Sequence, residues 1–275
     1  MSLTDSGHWY TRDGESAHEV PDGKDPTKMR STSLADARKL LLVPSVTTCL
    51  KVYNSFTLNR WSNGKHAQSG ADLANLRGTM SDWEWEKMVS GKAYEKRGEA
   101  ADEGTQYHLV VESIVNNVDL PDYELTIPPE FFTGFSSWWH EMKLATYQTE
   151  VSFAHPKGFG GRMDFVGYDE HGHDVFIDWK TQNTKPSRPA GFYKDSMPLQ
   201  LAAYMEGYKE KVAKEKQYIY HPRLISVVIS RSEPGRIEHK EWPEDMHKTY
   251  LGLFYGAVEK WKYDNSYDPS WEEDE

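Results

Sequence analysis

Cysteine is almost absent: Cys49 is the only one in 275 residues. An intrachain disulfide framework and a cysteine-ligated iron–sulphur cluster are therefore both excluded. Long apolar runs are missing too, and nothing approaches the ~20 residues a membrane-spanning helix needs. The first residues, Met1-Ser2-Leu3-Thr4-Asp5, lack the basic and apolar regions of a signal peptide, so a cytoplasmic location is expected. Low mean hydropathy, 27% charged residues and 13% aromatics describe a soluble globular chain long enough for a full core.

Acidic residues are missing from two segments although the net charge is -11. Residues 37–71 hold Arg38, Lys39, Lys51, Arg60, Lys65 and His66 without an Asp or Glu. Residues 179–194 hold Lys180, Lys185, Arg188 and Lys194, again without acid. The acid collects elsewhere, as in the tail at 272–275. An overall negative charge argues against nonspecific coating of nucleic acid. Segregated basic segments suit a local phosphate-binding track, with ordinary solvated surface as the alternative.

The pattern of elements is that of a mixed sheet flanked by helices, an α/β or α+β fold. Residues 9–11 and 17–20 flank Asp13-Gly14 as a predicted hairpin, and Ser33 with Asp36 suits a helix cap. Pro44-Ser45 opens a helical stretch. Residues 71–97 read as a helical insertion with an exposed Trp83-Glu84-Trp85. A helix over 98–116 lines up Ala101, Gly104, His108, Val111 and Val115, and one over 129–145 lines up Phe131, Phe135, Trp138, Trp139 and Met142. Strands follow over 147–153, 162–168 and 174–180, the last two joined by a turn at 169–173. A helix over 197–211, strands over 224–229 and 236–241, and a closing helix from Met246 to Trp261 complete the chain. No internal repeats occur. The expected division is an extension at 1–42, a helical region at 43–97, a core at 98–262 and an acidic tail at 263–275.

The chemistry concentrates where Gly160-Gly161-Arg162-Met163-Asp164 precedes Val175-Phe176-Ile177-Asp178-Trp179-Lys180-Thr181. Strand alternation puts Asp178 and Lys180 on one face and Ile177 and Trp179 on the other. Charges in so apolar a strand are costly unless paired or metal-bound. Asp164 and Asp178, on adjacent strands, can converge on one hard cation such as Mg2+ or Mn2+. Lys180 can orient or deprotonate a water or neutralise a phosphate. The alternative is a structural Asp–Lys ion pair.

Other residues carry two readings each. His108, between Gly104 and Glu112 at one-turn spacing, is a metal ligand or a satisfied core histidine. Gln200 and Tyr204 share a helix face and either touch phosphate, brace the site, or simply pack. Glu150, on the strand before Asp164, positions a metal-bound water or pairs with a cation. His171 and His173 flank a glycine and read as turn residues. Trp138 and Trp139 read as core, whereas Trp83 and Trp85 are offered for stacking.

Jointly, Gly104-x3-His108, Asp164, Asp178-Trp179-Lys180 and Gln200-x3-Tyr204 resemble the RecB-like branch of the PD-(D/E)xK nuclease superfamily. Pro44-Ser45-Val46-Thr47-Thr48, the strand around Asp178 and Pro198-Leu199-Gln200-Leu201-Ala202-Ala203-Tyr204-Met205 look most like the mitochondrial genome maintenance exonucleases and related phage exonucleases, over about residues 43–262. The resemblance implies a restriction-endonuclease-like core and hydrolysis of DNA phosphodiesters with Mg2+ or Mn2+. It implies His108, Asp164, Asp178 and the Trp179 carbonyl as metal ligands and Lys180 as the catalytic lysine. It further implies substrate contacts from Gln200 and Tyr204, joined by Lys185, Arg188 and Lys194 of the basic loop. Gly104, Glu112 and Glu150 would play supporting parts, and the region before His108 would form an arch for a single strand. Single-stranded DNA and proteins of replication, repair or recombination are the partners implied, with no membrane. Met163 stands where the superfamily has a nominal proline, and the second acid is Asp178 rather than glutamate. The alternatives are a phage-type recombination exonuclease on duplex ends and a non-catalytic nucleic-acid-binding protein on the same scaffold.

Overall fold

The protein is described by a computed structural model covering residues 8–53, 56–119, 127–213 and 218–272, without the side chains of 56–61 and 96–102. The stretch 1–5, the acidic residues at 273–275 and the side chains of Arg60 and Ala101 thus lie outside the described residues.

Three short strands open the chain: β1 (Trp9–Tyr10), β2 (Glu19–Pro21) and β3 (Met29–Ser31). The Asp13-Gly14 turn forms, with Gly14 at φ 85° and its N–H donating to Thr11 O at 3.0 Å. The predicted hairpin forms around that turn: Tyr10 and Ser16 make an antiparallel bridge, the Thr11 N–H donates to Glu15 O at 2.9 Å and the Ala17 N–H to Trp9 O at 2.8 Å. β1 pairs with β4 (Val43–Pro44), and β2 pairs with β3. Trp9 is anchored beyond the hairpin as well: its ring is buried in the main core and its indole N–H donates to Thr32 O at 3.2 Å.

Helix α1 (Leu34–Leu40) carries the expected Ser33–Asp36 capping box, and α2 (Val46–Leu50) is capped by Ser45. Helix α3 (Phe56–Asp72), a 3-10 turn at Ala74–Thr79 and α4 (Asp82–Asn116) follow. α4 runs unbroken for 35 residues, so the expected division at residue 97 falls inside one helix. Its first half is largely exposed, Trp83 at 68%. Helix α5 (Pro129–Met142) starts with proline at its first position, where the missing N–H costs nothing.

The central sheet holds β5 (Ala145–His155), β6 (Phe159–Tyr168) and β7 (Asp174–Gln182), then, after α6 (Met197–Ala213), β8 (Arg223–Ser230) and β9 (Ile237–Trp242). Helix α7 (His247–Asn265) closes the fold. Strands lie in chain order, antiparallel except β7–β8, where the α6 crossover makes the pair parallel. The expected mixed α/β architecture is present.

Helices cover both faces. One face packs Phe153, Met163, Phe176, Leu224 and Val228 against residues of α2, α6 and α7. The other packs Phe165, Ile177, Trp179, Ile225 and Val227 against α4 and α5, with Phe131, Phe135 and Trp138. Trp138 and Trp139 are thereby core residues, as expected. The first face also holds Trp9, Leu42, Val46 and Cys49, so the 1–42 and 43–97 segments contribute to the same core as the sheet. No helix among the described residues is long and apolar enough to cross a membrane.

Candidate active site

The site sits where the sheet splits. The β6–β7 ladder ends at Phe165↔Ile177, one step short of Asp164 and Asp178. Beyond it, Asp164 Oδ2 accepts the Trp179 N–H at 2.7 Å, so a side-chain carboxylate takes the place of a strand carbonyl. A strand residue presents its N–H and C=O to the same side. The Trp179 carbonyl therefore faces this opening, while its indole packs against Phe135 and Trp138.

The adjoining strand is distorted at the same level. Glu150 has φ 51°, a left-handed conformation rare for a non-glycine residue. Thr149 beside it reaches Glu112 of α4, whereas Val151 turns into the opposite core with α6. The facing strand exchanges faces at the same level, with Phe165 in one core and Met163 in the other. The inversion brings Glu150, Asp164 and His108 together, one ligand atom from each within 4.8 Å of the others. His108 Nδ1 lies 3.7 Å from Asp164 Oδ1. Gly104, one turn earlier, lets α4 approach β7, since a Cβ there would meet Thr181 Oγ1 at 3.3 Å.

Asp178 is 1% exposed and is held by two side chains. Lys180 Nζ stands 2.9 Å from its Oδ1 and 2.7 Å from its Oδ2. Gln200 Nε2 donates to Oδ1 at 2.8 Å and to Tyr204 Oη at 2.8 Å. Oδ2 accepts no hydrogen bond of regular geometry. Burial pushes Asp178 up to about 7; Lys180 opposes the rise and Asp164 adds to it. Burial would pull Lys180 down, but the carboxylates of Asp178 and Asp164 outweigh it and keep the ammonium above its ordinary range. Glu150 is likewise raised to about 7, by burial first and Asp164 second, with Arg162 opposing.

Gln200 and Tyr204 are both buried, and the Tyr204 ring packs on Phe153 and close to Gly161. Tyr204 therefore offers no face to a base. Of the roles expected for this pair, the geometry realises the bracing of Asp178. Lys185, Arg188 and Lys194 are exposed on the loop after β7. Lys185 and Arg188 form a bridge whose carbonyls accept from Arg236 at 3.0 and 2.7 Å, and Gln182 clamps Gly191 at the loop's far end. His171 and His173 sit in the turn, their N–H groups donating to Asp169 Oδ1.

Arg162 carries a part that sequence reading left unassigned. Its Nε lies 2.6 Å from Glu150 Oε2 and fixes that carboxylate beside Asp164. Its position two residues before Asp164 on one strand was the available signal.

The donor set fits a hard divalent cation: carboxylates with one imidazole, and a buried carboxylate oxygen short of a regular hydrogen bond. Residues 130–265 match the family described as the PD-(D/E)XK nuclease superfamily. That stretch contains Glu150, Asp164, Asp178, Lys180 and Gln200, and begins after His108. No curated protein matches the chain. Among matching chains of solved structure is one described as "Crystal structure of SSO0001", 16% identical over 71% of this chain and 70% of that one, with a TM-score of 0.32. That likeness is too slight to bear on chemistry.

Proposed function

We propose, from the match of residues 130–265 to the PD-(D/E)XK nuclease superfamily, that the chain is a metal-dependent DNA exonuclease acting on single strands or frayed ends. The observation that carries the reading is the convergence of Asp164, Asp178 and Lys180 at the split between β6 and β7, with His108 at its rim. We place it in the RecB-like branch, near the mitochondrial genome maintenance and phage exonucleases, working in the cytoplasm beside replication or recombination proteins.

His108, Asp164, Asp178 and the Trp179 carbonyl would hold Mg2+ or Mn2+, with Glu150 adjoining. When bound, such a metal supplies charge stabilisation at the scissile phosphate and acidifies a water. Lys180, kept charged by two carboxylates, orients the attacking water and neutralises charge developing on the phosphate. Gln200 holds Asp178 in place through Oδ1, and Oδ2, short of a regular hydrogen bond though 2.7 Å from Lys180 Nζ, would be the oxygen that takes the metal. Lys185, Arg188 and Lys194, exposed on the loop after β7, would offer positive charge to a nucleic-acid backbone. Preference for single strands is supported by the exposed arm, where Lys87 lies 5.2 Å over Trp83 and Arg77 5.5 Å over Trp85.

End-labelled linear DNA incubated with Mn2+ tests this. Release of short products is expected, slowed about 10²–10³-fold by Lys180→Ala. No cleavage, or cleavage indifferent to that change, overturns the reading. Activity on circular DNA would make the enzyme an endonuclease, and preference for blunt duplex ends the phage type. Failure of Asp164→Asn to reduce metal binding would favour a non-catalytic scaffold.

A further inference from the structure

A second buried cation lies between the end of β8 and α4, and the mechanism above does not use it. Parallel pairing continues past β7 and β8, with the Arg231 N–H donating to Gln182 O at 2.9 Å. Ile229 lies in the α4–α5 core, so alternation turns Arg231 toward α4 as well. There its Nη1 donates to Glu103 Oε2 at 2.9 Å. The arginine side chain is 14% exposed and the glutamate 45%, so the carboxylate is the outer, solvent-facing partner.

Arg231 is under-coordinated for so buried a group. A guanidinium carries five donors in a planar fork, and its Nε is buried with no hydrogen-bond partner among the described residues. A buried ion pair whose donors are not all satisfied returns less than its desolvation costs. As a strut between α4 and β8 the pair is weak. It is well suited to exchange, because a phosphate presents two oxygens to the fork where Glu103 engages one donor.

Its place relates it to the site. Glu103 precedes Gly104, which packs on Thr181, and lies five residues before His108 on α4. The Tyr107 hydroxyl is raised mainly by burial, with Glu103 adding and Arg231 opposing, so the pair adjoins the residue next to His108. Along the sheet, Arg231 is bonded at Gln182, two residues beyond Lys180, where the acid-free basic loop begins.

We propose that Arg231 is a clamp for a backbone phosphate flanking the scissile one, occupied by Glu103 until a nucleic-acid strand displaces the carboxylate. This deepens the nuclease reading and rests on it. It assigns Arg231 a positioning role and Glu103 a competitive one.

The test is binding of a fluorescent single-stranded oligonucleotide, read by anisotropy over a series of salt concentrations, with Ca2+ in place of Mn2+ and Lys180→Ala in every protein to prevent cleavage. Arg231→Gln is expected to weaken binding about tenfold and to lower the slope of log Kd on log salt by ~0.7, one phosphate on a single strand. Glu103→Gln is expected to do the opposite and tighten binding, since it removes the competitor and keeps the clamp. Arg231→Lys, which keeps the charge and loses the fork, should preserve the slope while weakening affinity. If Glu103→Gln weakens binding as Arg231→Gln does, or Arg231→Gln leaves the slope unchanged, the pair is a strut and the clamp is refuted. If Arg231→Gln does not fold, the sign of the Glu103→Gln effect decides alone. Absence of salt-sensitive binding by the parent protein would instead sink the nuclease reading, and the clamp with it.

Discussion

Glu150 occupies a backbone conformation that costs an L residue about 1–2 kcal/mol, and it does so beside Asp164 at the split in the sheet. Strain of this kind persists where the surrounding structure over-determines it, typically at functional sites. Glu150→Gly is therefore expected to raise the stability of the metal-free protein by about 1 kcal/mol in urea denaturation, relieving both the strain and the repulsion from Asp164. The same change should shrink the rise in melting temperature that Mn2+ produces. Opposite signs in the two measurements distinguish a site ligand from a structural residue. At this scale Asp164, Asp178 and Lys180 were legible in the sequence, because alternation in an apolar strand leaves charges few explanations. The Glu150–Arg162 pair was not, because a left-handed φ inside a strand leaves no mark in a glutamate. Arg231 was hidden as well: its partner lies 128 residues earlier.

Elements were read more surely than their pairings. The helical stripes of α5 and α7 and the strands of the central sheet follow from periodicities of 3.6 and 2, and the caps at Ser33 and Ser45 are where hydroxyls serve orphan N–H groups. The N-terminal hairpin was legible from Asp13-Gly14, whereas the further pairing of β1 with β4 was not, because pairing of so short a strand is settled by distant burial, and Trp9 finds its cavity only in the assembled core. One close approach has a measurable consequence. On α5, Gly134 abuts the backbone of Gly235, the φ 85° residue of the β8–β9 turn. A backbone cannot rotate aside as a side chain can. Gly134→Ala is expected to cost about 1–3 kcal/mol by overpacking, seen as a lower denaturant midpoint with unchanged slope.

For the whole molecule, the buried carboxylates set a pH profile. Asp178 and Glu150 bind their protons more tightly folded than unfolded, each raised to about 7. Their contribution to stability is thus full below the ordinary carboxylate range and is lost as pH climbs to about 7. Asp169 runs the other way. Burial pushes it up, but the N–H groups of His173 and His171 and the Arg223 guanidinium outweigh this and hold it at about 2. Its contribution is present above the ordinary range and lost in acid. The metal-free protein is expected to melt lower at pH 8 than at pH 5, and Mn2+ to raise the melting temperature more at pH 8, where both site carboxylates are ionised. A flat profile in melting experiments would contradict this. The mixed fold was legible because strands and helices alternate clearly after residue 129; the shared core of the first fifty residues was not, since nothing local predicts where Trp9 or Val46 will be buried. That core has a further consequence, for the order of events on the ribosome. The central strands neighbour one another in the order of synthesis. The layer at 9–53 instead docks on residues made 200 or more positions later, with Trp9 against Trp261, Tyr53 Oη donating to Leu253 O at 2.6 Å, and Tyr267 Oη to Leu42 O at 2.8 Å. The 9–53 segment must therefore wait, its tryptophan and valines exposed, for α7 to emerge, and a chaperone has that whole interval in which to bind it.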